Sequence, residues 1–166
     1  MSSATTAAPV TGRNLIAGNW KPPDGTHFES HNPARTDEVL GVFPASTPEE
    51  ANRAVAAARE AFPAWRRTSR IHRAELFDNL AQLVKREADH LARLMARECG
   101  KVVSECRAEV IEGLHMIQYV FGTGRMPIGQ VVASEIPEKD AFVRRKPWGV
   151  VAVTPHTAAW GPAVPE

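Results

Sequence analysis

Short runs of β-forming residues occupy the front of the chain, and apolar residues at helical spacing replace them in the middle. The runs cover residues 14–17, 26–30 and 39–42. Clusters of Pro, Gly and Asn lie between them, as turns do between the strands of a meander. We therefore expect a small antiparallel β layer at the front.

A helix start is predicted at Thr47. Its hydroxyl can cap the first turn, Pro48 suits the first helical position, and Glu50 can reach back to the amide of the capping residue. Apolar residues then recur at spacings of four, three and four, which aligns them on one face. They are Ala51, Val55, Ala58 and Phe62. The pattern predicts an amphipathic helix that ends near Pro63.

Three more helices are predicted by the same periodicity. One begins after Ser69, another surrounds Leu91 and ends at Gly100, and the last covers residues 103–121. A glycine at position 100 can adopt the left-handed conformation that closes many helices. The run Gly122-Thr-Gly124 has the glycines of a phosphate loop but follows a helix and lacks the Lys, so we interpret it as a helix stop.

The period changes to that of β-strands beyond residue 129. Residues 130–136 and 141–145 are predicted to form the two strands of a hairpin. The continuous apolar run over residues 149–154 is typical of a strand covered on both faces of a parallel sheet. Only twelve residues follow it, fewer than a crossover to a second parallel strand requires. These elements together predict an α/β fold.

Composition places the chain among single-domain globular proteins. Of its 166 residues 43% are hydrophobic and 23% charged, and the formal net charge is +1. This balance gives no bias toward nucleic acid or anionic membranes, and no run reaches the roughly 18 apolar residues that span a bilayer. Residues 1–13 show no targeting signal and are predicted to be a disordered tail. Two cysteines outside any CxxC pair favour a reducing cytoplasm.

Residues that invite a chemical role have simpler structural interpretations. Cys99 and Cys106 lie on predicted helices and are expected to be small buried hydrophobes, not nucleophiles. His27 and His31 fall in strand and loop sequence without a partner at ligand spacing, so no metal ligand is assigned. A basic cluster could contact nucleic acid, but acidic residues on the same helices favour a solvated face. The cluster is Arg66, Arg67, Arg70 and Arg73.

Several short segments, in their order along the chain, resemble the aldehyde dehydrogenase superfamily. They are Ile16-Ala-Gly-Asn-Trp20, Asn32-Pro-Ala34, Glu38-Val-Leu-Gly41, Ala54-Val-Ala-Ala-Ala-Arg59, Ala61-Phe-Pro-Ala-Trp65, Arg97-Glu-Cys-Gly-Lys101 and Arg145-Lys-Pro-Trp-Gly-Val-Val-Ala-Val153. The resemblance implies the N-terminal part of the aldehyde dehydrogenase fold: small antiparallel strands, a helical layer, a β-hairpin and the start of an incomplete Rossmann-like sheet.

The resemblance also implies domain boundaries. Residues 14–128 would form the N-terminal portion of a cofactor-binding domain, residues 129–146 an oligomerisation hairpin, and residues 147–166 the first strand of a truncated Rossmann-like unit. We therefore expect a homo-oligomer that forms through residues 129–146.

The reaction implied by the resemblance is the oxidation of an aldehyde to a carboxylic acid with NAD or NADP as cofactor. Family members use a cysteine thiolate as nucleophile and a glutamate as base. Both belong to family segments without a match in these 166 residues, so no catalytic residue is assigned. We expect an aldehyde dehydrogenase family protein that is truncated and inactive alone. The alternative is a non-catalytic helical interaction module that associates with a full-length relative.

One cofactor-binding segment of the family is represented in part. Family members continue Thr-Pro-Trp-Asn after the apolar strand, where the backbone and Trp line the dinucleotide cleft and the Asn amide helps to hold the oxyanion. The match assigns three residues to cofactor binding, Thr154, Pro155 and His156. Thr157 takes the Asn position, or Gly161 does if Trp160 is taken as the family Trp. Neither provides an amide donor.

Exposed strand edges of the hairpin should make the isolated chain associate. We expect the purified chain to express poorly, aggregate or require a partner, because unpaired strands bind other chains. Size-exclusion chromatography with light scattering measures the outcome. A monodisperse monomer with a sharp two-state thermal transition would contradict this expectation.

Overall fold

Strands precede and follow a layer of helices. The computed structural model describes residues 9–22 and 25–154. Its strands are β1 (Val10–Thr11), β2 (Asn14–Ile16), β3 (Asn19–Lys21), β4 (His27–Asn32), β5 (Arg35–Pro44), β6 (Gly129–Val132) and β7 (Ala141–Arg144). Its helices are α1 (Pro48–Trp65), α2 (Arg70–Cys99) and α3 (Val103–Thr123). The predicted α/β class is confirmed.

The front of the chain contains a three-stranded sheet in the order β1-β5-β4. Strand β5 pairs antiparallel with β4 and parallel with β1. Val10 and Thr11 are thus held by the sheet, and the prediction of a disordered tail over residues 1–13 is wrong at these two positions. A pairing of two residues is too short to leave a pattern in the sequence. Residues 1–8 lie outside the described part of the chain.

A separate hairpin is formed by β2 and β3 around the turn Ala17-Gly18. Both turn residues have positive φ, 51° and 76°, as the two-residue turns that match strand twist require. Glycine adopts positive φ freely, whereas the conformation of Ala17 is stabilised by a hydrogen bond within the turn. The side-chain amide of Asn19 donates to the Ala17 carbonyl at 3.0 Å.

Helix α1 begins with the predicted capping box. The Glu50 amide donates to the Thr47 hydroxyl at 3.3 Å, and the Thr47 amide donates to the Glu50 carboxylate at 2.9 Å. Pro48 lies in the first turn, where no amide donor is needed. The helix continues two residues past Pro63, because a proline near the end interrupts only one helical hydrogen bond.

One continuous helix, α2, replaces the two that the pattern predicted between Ser69 and Gly100. The apolar residues up to Val84 and those from Leu91 are interpreted in the sequence as two separate helices, but the 30 residues of α2 contain neither Gly nor Pro. Charged residues are good helix formers on an exposed face, so the hydrogen-bond ladder continues. The predicted end is confirmed: Gly100 has φ 68° and its amide donates to the Ala96 carbonyl at 3.0 Å.

The hydrophobic core lies between α2 and α3, which run antiparallel across a short turn. Its buried members are Ala92, Met95, Cys106 and Val110, with Val84, Ala88, Leu91, Ala96 and Cys99 packed against them. At the rim, the Arg107 guanidinium donates twice to the Asp89 carboxylate, at 3.0 and 2.7 Å. The α2–α3 pair is therefore the packed centre of the helical layer.

The predicted hairpin is confirmed by the antiparallel pairing of β6 and β7. Val131 faces Phe142 on one side of this ribbon, and their exposed fractions are 75% and 70%. Val132 and Val143 on the other side are also exposed. Both faces of the ribbon are apolar and open in the described part of the chain.

Residues 149–154 do not form a strand, contrary to the prediction. Val151 is 69% exposed and Val153 is 82% exposed. A parallel strand requires a neighbour that accepts and donates its backbone hydrogen bonds. No described strand lies beside this segment, so its apolar side chains remain uncovered.

Replacing Gly100 with alanine should destabilise the chain. The new Cβ would lie 2.9 Å from Pro33 Cγ in a residue with φ 68°, and we expect a loss of about 1–2 kcal/mol. Gly113→Ala is the matched control, because that position lies in α3 with nothing within 4 Å of an added Cβ. Alanine should stabilise α3 there by up to about 1 kcal/mol. Urea unfolding followed by circular dichroism measures both, and equal effects would contradict the role given to Gly100.

Candidate functional site

The carboxylate of Glu38 joins the sheet to α2. It accepts hydrogen bonds from the Asn32 amide at 2.8 Å and the Arg97 guanidinium at 2.6 Å, and it pairs with Arg35 at 2.9 Å. Its side chain is only 8% exposed. A charge with so little access to water is stable when it is paired and hydrogen-bonded in this way. We call these four residues the Glu38 junction.

Hydrogen bonds from Asn32 and then from Arg97 lower the pKa of Glu38 below its ordinary value. The positive charges of Arg97 and Arg35 act in the same direction, and burial opposes them. The carboxylate therefore stays ionised in the folded chain, where its charge holds the two arginines.

The turn between β4 and β5 is shaped by Asn32 and braced by α2. The Asn32 side-chain carbonyl accepts a hydrogen bond from the Ala34 amide at 3.0 Å, as in an Asx turn. Pro33 lies so close to Gly100 that a Cβ at position 100 would contact it. Three of the segments that carry the family resemblance therefore meet at this junction.

Lys101 has a structural partner that the sequence did not reveal. Its Nζ lies 2.6 Å from Glu109 Oε1, and this hydrogen bond raises the pKa of Lys101 above its ordinary value. The pair links the α2–α3 turn to α3. Its members are eight residues apart on different elements, so neither helical nor strand spacing could predict the contact.

Two arginines of the basic cluster, Arg70 and Arg73, lie in the first turn of α2 and bind carbonyls near the ends of other helices. The Arg70 guanidinium donates to the carbonyls of Thr123 at 2.8 Å and Met126 at 3.1 Å, at the end of α3. Arg73 donates to two carbonyls beside the end of α1, at 3.1 and 2.6 Å. Cations are favourable at carbonyls near the C-terminal ends of helices. The predicted solvated face is therefore wrong for Arg70 and Arg73, whose partners only the tertiary structure supplies.

Neither cysteine is placed as a nucleophile. Cys106 is fully buried, and half-buried Cys99 packs against the same core. Burial, followed by the neighbouring carboxylate of Glu98, raises the pKa of Cys99, which disfavours the reactive thiolate. The prediction of a small buried side chain is confirmed for Cys106, whereas Cys99 is only half-buried at the edge of the core.

His31 has an acidic partner that its sequence context did not predict. His31 Nε2 lies 3.2 Å from Glu29 Oε2, and both side chains are exposed on β4. Within residues 9–22 and 25–154, no three His, Cys, Asp or Glu side chains are arranged to hold a metal ion.

Only one of the three predicted cofactor-binding residues lies in the described part of the chain. Thr154 is exposed at the end of the uncovered segment 149–154. Pro155 and His156 lie outside the described residues. Their role in cofactor binding stays a prediction.

Comparison with known proteins identifies the family. Residues 20–157 match the Aldehyde dehydrogenase family. The chain therefore belongs to this family of NAD(P)-dependent oxidoreductases, as the order of its short segments predicted.

Two relatives with similar sequences carry names of semialdehyde dehydrogenases. The alpha-ketoglutaric semialdehyde dehydrogenase of Bacillus subtilis is 33% identical over 141 residues, covering 84% of this chain and 29% of that protein. Malonate-semialdehyde dehydrogenase 3 of Geobacillus kaustophilus is 37% identical over 145 residues, covering 86% and 30%. The chain thus spans less than a third of the length of these relatives, consistent with the predicted N-terminal portion.

Solved structures of the family show the same arrangement of elements. Betaine aldehyde dehydrogenase from Staphylococcus aureus, in complex with NAD+, is similar with a TM-score of 0.74 and 27% identity over 81% of this chain and 28% of its own. An NADP dependent enzyme from Escherichia coli is similar with a TM-score of 0.72 and 30% identity over 78% and 27%. The fold of this chain is therefore similar to one part of these longer enzymes, as the sequence predicted.

None of the helices in the described residues is long and apolar enough to cross a bilayer.

Acid should weaken the Glu38 junction. Folding lowers the pKa of Glu38, so the junction stabilises the folded chain fully at pH values above the ordinary pKa of about 4.3. This stabilisation is lost as the pH falls through the lower pKa of the folded state. In Glu38→Gln this part of the acid dependence should be absent, and the urea midpoint at neutral pH should fall. Glu60→Gln, at an exposed position of α1, should change neither. If the urea midpoints of the wild type and Glu38→Gln depended on pH in the same way, the stabilising role of the Glu38 carboxylate would be contradicted.

Proposed function

We propose that these residues serve as the N-terminal portion of an NAD(P)-dependent aldehyde dehydrogenase and that the 166-residue chain alone does not oxidise aldehydes. The observation that carries the proposal is the family match over residues 20–157. The similarity to an NAD+ complex supports it, with a TM-score of 0.74. In this role the helical layer is a scaffold for the cofactor domain.

The state of the two cysteines supports the absence of activity in the chain alone. The family reaction needs a thiolate that can reach an aldehyde, whereas Cys106 is buried and the raised pKa of Cys99 keeps it protonated. A cytoplasmic location is also proposed, because two cysteines outside any CxxC pair are typical of a reducing compartment.

Residues 129–146 are proposed to join subunits of a homo-oligomer. The β6–β7 ribbon presents apolar side chains on both faces, with Val131 75% and Phe142 70% exposed. Its outer strand edges also carry backbone groups that a neighbouring strand can pair with. A ribbon of this kind gains stability when it adds to the sheet of a partner.

For the complete enzyme we propose an aldehyde substrate, with semialdehydes as the first class to test. The relatives from Bacillus subtilis and Geobacillus kaustophilus carry names of semialdehyde dehydrogenases. NAD or NADP would be the cofactor, and Thr154, Pro155 and His156 are proposed to contact it. The position of the family Asn is occupied by Thr157, or by Gly161 if Trp160 is taken as the family Trp, and neither provides an amide donor. This supports a weakened oxyanion site.

The alternative function is a non-catalytic interaction module that docks on a full-length relative. The observation in its favour is apolar surface on several elements at once. Val55 on α1 and Leu80 on α2 are 40% and 41% exposed, in addition to the hairpin. Patches of this kind mark protein contacts.

A chimera tests the proposed function. Residues 14–150 replace the corresponding segment of Geobacillus malonate-semialdehyde dehydrogenase 3, and NADH formation is followed at saturating malonate semialdehyde. We expect this chimera to turn over, and a longer one that carries residues 14–157 to be slower by about 100-fold, the effect of losing one oxyanion donor. Thr157→Asn in the longer chimera should restore most of that loss.

Two results would overturn the proposal. One is NADH production by the purified 166-residue chain at enzymatic rates, and the other is a correctly assembled short chimera without activity. Capture of a full-length relative by the isolated chain, lost in Phe142→Asp and retained in Lys139→Asp, would favour the interaction module instead.

A further inference from the structure

A basic cleft of about 310 Å³ lies between the β4–β5 turn and the α2–α3 turn. Its walls are formed by Asn32, Ala34, Arg93, Ala96, Arg97, Gly100, Lys101 and Val103. Three of these side chains are cationic and none is acidic. The cleft therefore presents positive charge to whatever enters it.

The cations of the cleft retain free hydrogen-bond donors. Arg97 uses one nitrogen on Glu38, and Lys101 uses one of its three donors on Glu109. Neither carboxylate is part of the cleft wall. Arg93 makes no hydrogen bond or ion pair within residues 9–22 and 25–154, so its whole guanidinium is available.

The walls of the cleft are held in place before any ligand binds. Asn32 is buried, and its amide nitrogen and carbonyl oxygen bond to Glu38 and Ala34. Pro33 and Gly100 approach closely enough to exclude a Cβ. Arg93 and Arg97 are four residues apart on α2, so they share one helix face. Little ordering of the protein is then needed on binding, which favours affinity.

We propose that the basic cleft binds phosphate, either as the free anion or as the phosphate group of a small monoester. A guanidinium matches two phosphate oxygens, and an ammonium adds a third contact. Helix α3 begins beside the cleft, where the field of its first turn favours an anion and the carboxylate of Glu105 in the same turn opposes it, so the three cations carry the site. This site is independent of the proposed aldehyde chemistry and of residues 154–156.

Phosphorus NMR with the full chain and inorganic phosphate tests the site. We expect saturable line broadening for the wild type and affinity reduced roughly tenfold in Arg93→Gln, the loss of one charged donor pair. The matched control is Arg86→Gln, which removes the same charge two turns earlier on α2, where Arg86 pairs with Glu87 outside the cleft. Arg86→Gln should bind as the wild type does.

Two outcomes would refute the site. One is no saturable phosphate signal for the wild type, and the other is an equal change in Arg93→Gln and Arg86→Gln, which would mean a diffuse charge effect. Because Arg93 is exposed and unpaired in the described chain, Arg93→Gln should keep the fold, as circular dichroism would verify. If added methyl phosphate competes with inorganic phosphate, the cleft also binds phosphate monoesters.

Discussion

A nearly buried carboxylate, Glu38, decides how the β layer meets the helical layer. It takes donors from the end of β4, from β5 and from α2, and its side chain is only 8% exposed. The desolvation of such a charge is unfavourable, so the network stabilises only when every partner is present. The Asx turn at Asn32 and the close contact of Pro33 with Gly100 are set by the same arrangement.

The rest of the described chain has only a small buried core. The core proper is a small cluster between α2 and α3, where Ala92 and Cys106 are fully buried. Large apolar side chains on α1, on the β6–β7 ribbon and over residues 149–153 remain exposed. Exposed apolar surfaces of this kind often mark contacts with other parts of a protein, and they agree with an element arrangement that is similar to one part of a larger family fold.

The segments that identify the family are mainly structural in this stretch. Asn32, Glu38 and Arg97 come from three of them and bond to one another, while Gly100 permits the close turn. Family resemblance in this region therefore reports how the scaffold is assembled. The basic cleft lies at the same place and is a feature of the scaffold itself.

Local signals in the sequence determined the start of α1, the stop at Gly100, the β6–β7 hairpin and the fold class, because caps, left-handed glycines and alternation act over a few residues. Contacts between distant positions were decided by the tertiary structure alone. Examples are the pairing of Val10 with β5, the binding of Arg70 to the end of α3, and the Glu38 junction. The segment 149–154 makes the same point, since its apolar pattern is that of a strand while strand formation requires a neighbour to share its hydrogen bonds.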